Sequence, residues 1–271
     1  ATCRRDWACV PATACLLAAF CRGAQALRLH SSSDIETGRY DFSKVFKHAG
    51  LYMNKKAHPE FANTVLVTVA NVAYSDMLRN WRCHADKLGL DYVIIALDPD
   101  IYNAAERDRF LLIEGGDFFR EPETFRQGHF NEMSCSKIRV VLDILDGTGL
   151  DVVFSDPDNV FRDDPFARGV SLGDKMRLGA FQYIYQQNRQ LTPPNNSSIG
   201  AEVGEGNTGF YFVSGSSKKK GVQSLFWAAL QECSRHRDID DQSNFWQALR
   251  TVRRGLARRT YGADSFDCAS L

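Results

Sequence analysis

Two aspartates one residue apart, Asp156 and Asp158, follow the apolar run Val152-Val153-Phe154 and Ser155. Carboxylates next to a buried strand need partners, because an unpaired charge is costly to bury. A divalent cation is one such partner. Hard oxygen ligands suit Mg²⁺ or Mn²⁺, and these ions are commonly shared with a substrate's phosphates. The end of a strand is also where open α/β sheets place their ligands. Taken alone, Asp156-Pro157-Asp158 reads first as a turn, since turns favour the same residues. Other residue groups with chemical potential are Ser136-Lys137, Asn207-Thr208-Gly209 and Asp241-Gln242-Ser243-Asn244, with Asn71 directly after a strand-like run.

The elements that must position these residues follow from pattern. Val65-Leu66-Val67-Thr68-Val69 predicts a central strand. Ser75-Asp76 predicts the cap of a helix through about Leu88, with Met77, Leu78, Trp81, His84, Ala85 and Leu88 at helical spacing and Gly89 as its end. Tyr92–Leu97 predicts a second strand, and strand, helix, strand in this order makes a right-handed parallel unit. Ser134 predicts the cap of a helix through about Asp146, with Lys137 near its start. The strand that ends in Asp156 comes next, after several βα units. Leu178–Tyr183 predicts a further strand, and Phe210–Val213 an aromatic one. A helix is expected over about Lys219–Cys233. A last one opens at Asp240-Asp241-Gln242, where an Asp is often simply a cap.

Composition narrows the class. The chain has 271 residues, 44% of them apolar, enough for one large domain or two small ones. Lys plus Arg and Asp plus Glu are both 33, so no global charge favours nucleic acid or an anionic membrane. Basic clusters at Lys218-Lys219-Lys220, Arg253-Arg254 and Arg258-Arg259 read as solvated faces.

Arg4-Arg5, the apolar run Ala8–Phe20 and Ala24-Gln25-Ala26 follow the order of a secretory signal peptide. A clipped membrane anchor is the alternative, although the run falls short of the about 20 apolar residues of a comfortable span. The expected domains are 1–26 as signal peptide or clipped anchor, 27–62 as a stem, and 63–271 as the catalytic domain. Outside the leader, Cys83, Cys135, Cys233 and Cys268 remain, without CxxC spacing. One or two disulfides are expected in a secretory lumen, with three connectivities open if all four pair. Asn195-Asn196-Ser197-Ser198 holds two overlapping N-glycosylation acceptors.

The motifs together, in their order, resemble the nucleotide-diphospho-sugar transferase domain of glycosyltransferase family 77. They are Ser136-Lys137, Phe154–Phe161 with Asp164-Pro165, Asn207–Phe212 and Asp241–Asn244, with the opening segment Val65–Trp81. That family includes plant cell-wall xylosyl-, arabinosyl- and galactosyltransferases, and the resemblance covers about residues 63–250. It implies an α/β fold of the Rossmann-like GT-A type, with a mixed, mostly parallel sheet flanked by helices. It also implies transfer of a sugar from a nucleotide-diphosphate donor, such as a UDP-sugar, to a glycan or glycoprotein hydroxyl. Anomeric configuration would be retained and Mn²⁺ or Mg²⁺ required.

On this resemblance Asp156 and Asp158 are metal ligands, and Lys137 lies near the donor's phosphates or sugar. Asn71 touches base or ribose, and Asn207 and Gly209 line the sugar pocket. Asp241 binds sugar hydroxyls, and Gln242 lies near the anomeric carbon. The implied setting is the Golgi or another secretory lumen. No nucleic-acid partner is implied, and a membrane enters only through an N-terminal anchor. Two residues depart from the family pattern: Pro157, where a branched apolar residue is usual, and Ser243, where a carboxylate often follows the Gln in a related family. The chain ends soon after the last motif, so a C-terminal acceptor-side segment and a third metal ligand are expected to be missing. Two alternatives stay open: a non-catalytic relative that binds sugar nucleotide or glycan, and a haloacid-dehalogenase-type phosphatase. In the latter class, Asp-x-Asp follows the first core strand, not a later one.

Overall fold

The computed structural model describes residues 58–104, 110–112, 130–179, 183–187, 206–215 and 220–261. The expected leader, nearly all of the stem, the Asn195-Asn196 acceptors and Cys268 lie outside the described residues.

In chain order the elements are β1 (Thr64–Ala70), a 3₁₀ turn (Val72–Tyr74), α1 (Ser75–Lys87), β2 (Tyr92–Ala96), α2 (Pro99–Ala104) and β3 (Phe110–Leu112). Then come α3 (Phe130–Thr148), β4 (Asp151–Ser155), α4 (Ser171–Leu178), β5 (Tyr183–Gln187), β6 (Gly206–Val213), α5 (Lys220–Arg235) and α6 (Asp241–Tyr261). One six-stranded sheet runs β3-β2-β1-β4-β6-β5. β1 pairs in parallel with β2 and β4, and β2 with β3. β6 is antiparallel to both β4 and β5, so it alone runs against the other strands. This is the mixed, mostly parallel α/β class expected from the sequence.

Every residue of β1 and β2 is buried. That explains their unbroken apolar runs: strands covered on both faces have no solvent side to alternate toward. Val65, Val67, Val69, Val152 and Phe154 pack with α3, α5 and α6 on one face. Leu66, Ala70 and Val153 pack with α1 and α4 on the other. A disulfide, Cys135–Cys233, joins α3 to α5 across 98 residues of sequence. Cys83 remains a thiol on α1.

Four expectations are corrected. α3 begins at Phe130, not Ser134, so Lys137 lies two turns inside it. Ser134 caps nothing at that helix end; it is buried, and its hydroxyl donates to the Asn131 carbonyl. Ser75 is the first residue of α1 and no side chain caps that helix; the side chain of Asn71 caps the 3₁₀ turn leading into it. Leu178 ends α4 rather than opening a strand, followed by Gly179 in the left-handed conformation that glycine adopts without strain. Met77 is 47% exposed, off the packed stripe formed by Leu78, Trp81 and Ala85.

Candidate active site

The sheet order reverses direction between β1 and β4, and open α/β sheets bind ligands beyond the carboxyl ends of strands at such a switch point. A cleft of about 210 Å³ lies there. Asn71, Tyr74 and Met77 wall it after β1, Met133 and Lys137 on α3, and Asp156 and Asp158 after β4.

The Asp-x-Asp segment is a tight turn as well as a cleft wall. The Asn159 N–H donates to the Asp156 carbonyl at 3.2 Å, closing a four-residue β-turn. Pro157 holds the second position, where a fixed φ is favourable and no N–H is needed, so the departure from the family pattern is a local fit. The turn is fastened to β6. The Asp156 N–H donates to the Gly209 carbonyl at 2.7 Å. The Asn159 side-chain amide donates to the same carbonyl at 2.7 Å and to Ser155 Oγ at 3.3 Å. From the other face, Trp81 Nε1 donates to Ser155 Oγ at 2.9 Å, which ties α1 to the end of β4.

Lys137 reaches between two carboxylates. Its Nζ lies 2.9 Å from Asp241 Oδ2 and 3.1 Å from Asp156 Oδ2. Burial pulls the lysine pKa down, but Asp156 and Asp241 outweigh that and raise it above the ordinary value. The Asp156 carboxyl is pushed up to about 6 by burial; Lys137 opposes the rise and the Asp241 charge adds to it. One lysine therefore faces two carboxylates, with Asp158 nearby and exposed.

Asp241 owes its freedom to its neighbour. Asp240 Oδ1 accepts the Ser243 N–H at 2.9 Å, and its carbonyl accepts the Asn244 N–H at 3.1 Å. Asp240 is thus the cap of α6, which leaves the Asp241 carboxylate to Lys137 and to Thr208, whose hydroxyl donates at 2.7 Å. Thr208 was not singled out from sequence. Its only signal is its place between Asn207 and Gly209, where strand alternation sends it to the opposite face. Gly209 allows a close approach: a Cβ there would sit 2.8 Å from Asp156 Oδ2 and 2.8 Å from Asn207 Oδ1, and these side chains would have to move. Asn207 Oδ1 accepts the Gly209 N–H at 2.5 Å.

Of the residues expected from sequence, Lys137, Asp156, Asp241, Asn207 and Gly209 are gathered, and Asp158 shares the cleft wall. Asn71 lines the cleft but is fully buried; its Oδ1 accepts the Tyr74 N–H at 3.3 Å, and its amide faces Met133 Sδ at 3.7 Å. Gln242 is half-buried in the first turn of α6 and does not line the cleft. Sequence reasoning missed Tyr74, Met77 and Met133 as cleft residues; an apolar side chain exposed on a helix, as Met77 is, marks such a surface only after folding.

An α/β fold with carboxylates and a lysine at its switch point is the kind of architecture that places ligands beyond the strand ends. Residues 90–260 match the nucleotide-diphospho-sugar transferases, and the chain belongs to that family. It is 26% identical over 200 residues to the beta-arabinofuranosyltransferase RAY1 of Arabidopsis thaliana, a match covering 69% of this chain and 33% of that protein. The apo-form glycosyltransferase GlyE of Streptococcus pneumoniae TIGR4 aligns over 74% of this chain and 44% of its own, at 15% identity and a TM-score of 0.38. The chain thus spans about a third of the curated relative it matches.

Proposed function

We propose that this protein is a retaining, metal-dependent glycosyltransferase. It moves a sugar from a nucleotide-diphosphate donor, a UDP-sugar, to a hydroxyl of a glycan or glycoprotein in the Golgi or another secretory lumen. The observation that carries this reading is Lys137 held between Asp156 and Asp241 at the switch-point cleft. Family membership and the name of the Arabidopsis relative support glycosyl transfer. The Cys135–Cys233 disulfide supports an oxidising lumen.

Among the described residues no group of three His, Cys, Asp or Glu side chains is assembled for a metal. The donor set still fits Mg²⁺ or Mn²⁺, because these ions commonly take one or two carboxylates and complete their shell with water and substrate phosphate oxygens. Asp156 and Asp158 would hold the ion; the excess of carboxylate over lysine beside it is the charge such an ion offsets. When bound, the ion neutralises charge on the diphosphate.

The chain's own residues do the rest. Tyr74 and Met77 offer an aromatic and apolar surface to the base, beside Asn71. Lys137 stands near the phosphates and stabilises charge that grows as the diphosphate leaves. Asn207 and Gly209 bound the sugar's space. Asp241 accepts hydrogen bonds from sugar hydroxyls; Gln242 does not line the cleft, and its place near the anomeric carbon rests on the family resemblance. Thr208 and Lys137 already engage Asp241 Oδ2, which favours an orienting role over nucleophilic attack. We therefore assign same-face attack, in which the outgoing phosphate oxygen takes the acceptor hydroxyl's proton.

The test is UDP release from a panel of UDP-sugars with Mn²⁺. Asp156→Ala and Asp158→Ala should each lower release by about 10²–10³-fold, the scale of losing one preorganised electrostatic partner, while the fold persists. Full activity in either variant refutes the metal role. Nucleotide binding without turnover would instead mark a non-catalytic relative, and phosphate release from phosphomonoesters a phosphatase.

A further inference from the structure

A second hollow, of about 440 Å³, begins one residue beyond the donor cleft, at Asn159. Its size falls within the range of about 300–1,000 Å³ typical of ligand sites. Phe161, Ile184 and Phe210 form an apolar base, and Val160, 48% exposed, adds an apolar surface open to solvent. Arg162 and Lys175 are exposed on its rim, opposed by the single carboxylate of Asp163. Among the described residues neither cation is held in an ion pair. Arg177, two residues beyond Lys175 on α4, is by contrast engaged by Glu60 and Asp174.

The two hollows adjoin. Asp156 and Asp158 line the donor cleft and Asn159 to Asp163 line the second hollow, so one continuous segment serves both. Asn159 is bonded to the Gly209 carbonyl, and Phe210 follows that glycine into the second hollow. A molecule seated there would lie beside the place assigned to the donor's sugar. Apolar and aromatic surface suits the C–H faces of sugar rings, and two unpaired cations suit a carboxylate.

We propose that this second hollow seats the acceptor, an oligosaccharide carrying carboxylated sugars, with a carboxylate at Arg162 and Lys175 and a ring over Val160 and Phe210. This rests on the glycosyltransferase reading above. Unpaired exposed cations add affinity through charge, so binding should weaken as salt rises.

The test titrates the full chain with trigalacturonic acid and with its neutral, carboxyl-reduced counterpart. The acidic trimer should bind about tenfold tighter at low salt, the scale of one charge-assisted hydrogen bond, and the preference should shrink at high salt. Arg162→Gln with Lys175→Gln should erase the preference while leaving binding of the neutral trimer and acceptor-free UDP release unchanged. Equal binding of the two trimers by the wild-type chain, with UDP release intact, overturns the proposal alone. Absence of UDP release from the wild-type chain overturns the transferase reading, and the acceptor role falls with it.

Discussion

Lys137 is at once a structural and a chemical residue. Its side chain is 12% exposed and Asp241's is 6% exposed, so removing the cation strands carboxylates in a poorly solvated place. Breaking a buried pair by deleting one partner costs about 3–5 kcal/mol. Lys137→Met should lower unfolding free energy by that order in denaturant titrations, and it should lower UDP release as well. Gly209→Ala separates the two kinds of effect. The added methyl meets the ends of two side chains, Asp156 and Asn207, not backbone. Those ends can swing away, so the stability loss should stay near the low end of the about 1–3 kcal/mol for overpacking. The swing displaces Asp156, so turnover should fall much further than stability. A variant that loses stability but keeps full turnover would contradict the placement of Asp156.

At the scale of elements, the end of β4 is held from both sides. Trp81 on α1 is fully buried, edge-on to Tyr92 at 5.0 Å and to Phe161 at 5.4 Å, and bonds Ser155. Asn159 fastens the following turn to β6. Asn159→Ala removes one donor from the Gly209 carbonyl, which keeps the Asp156 N–H, and should cost about 0.5–1.5 kcal/mol, read by thermal or chemical unfolding. It should also raise the metal concentration needed for half-maximal UDP release, because the turn that carries Asp156 and Asp158 is loosened. The contact between α1 and β2 has its own pH signature. Tyr92 donates to Asp86, and burial raises its pKa, partly opposed by Arg82. A raised pKa means that the folded state holds the phenolic proton more tightly than the unfolded chain does. That stability is fully present below the ordinary tyrosine pKa and is lost as pH rises through the raised one. Tyr92→Phe should flatten the alkaline limb of a stability–pH curve and leave the neutral region's slope unchanged.

For the whole molecule, the Cys135–Cys233 disulfide links α3, which carries Lys137, to α5 across 98 residues. Closing a span of that length restricts the unfolded chain, and losing such a bond commonly costs about 2–5 kcal/mol. Cys135→Ser with Cys233→Ser should lower the melting temperature. Reductant should lower it in the wild type and leave it unchanged in the variant. The same bond fits a protein made for an oxidising lumen. The sheet's reversal between β1 and β4 brings Asn71 and Asp156, far apart in sequence, to one crevice. The second hollow lies against the other flank of the same turn, so the fold presents two adjoining hollows from one scaffold.

Local chemistry made much of this legible in the chain. The apolar runs at Val65–Val69, Tyr92–Leu97 and Val152–Phe154 announced buried strands because residues covered on both faces have no polar alternation. Asp156-x-Asp158, Lys137, Asn207, Gly209 and Asp241 stand out by type and order, and the fold brings them to one end of the sheet. The failures were of a different kind. Ser134 reads as a cap by type, but it lies one turn inside a helix whose start depends on packing. Leu178–Tyr183 looks like a strand, but α4 extends through Leu178 and stops at a left-handed Gly179. Whether Asp240 or Asp241 would cap α6 could not be read from adjacent identical residues; the fold gave the cap to Asp240 and the lysine to Asp241. Thr208 and Asn159 gain their roles from partners tens of residues away. Sequence alone determined the buried strands β1, β2 and β4, the class of fold and the chemistry on offer, because these depend on neighbours along the chain. The tertiary structure alone decided which charges meet and which turn is pinned to which strand, because ion pairs and hydrogen bonds act over a few ångströms between segments that only folding brings together.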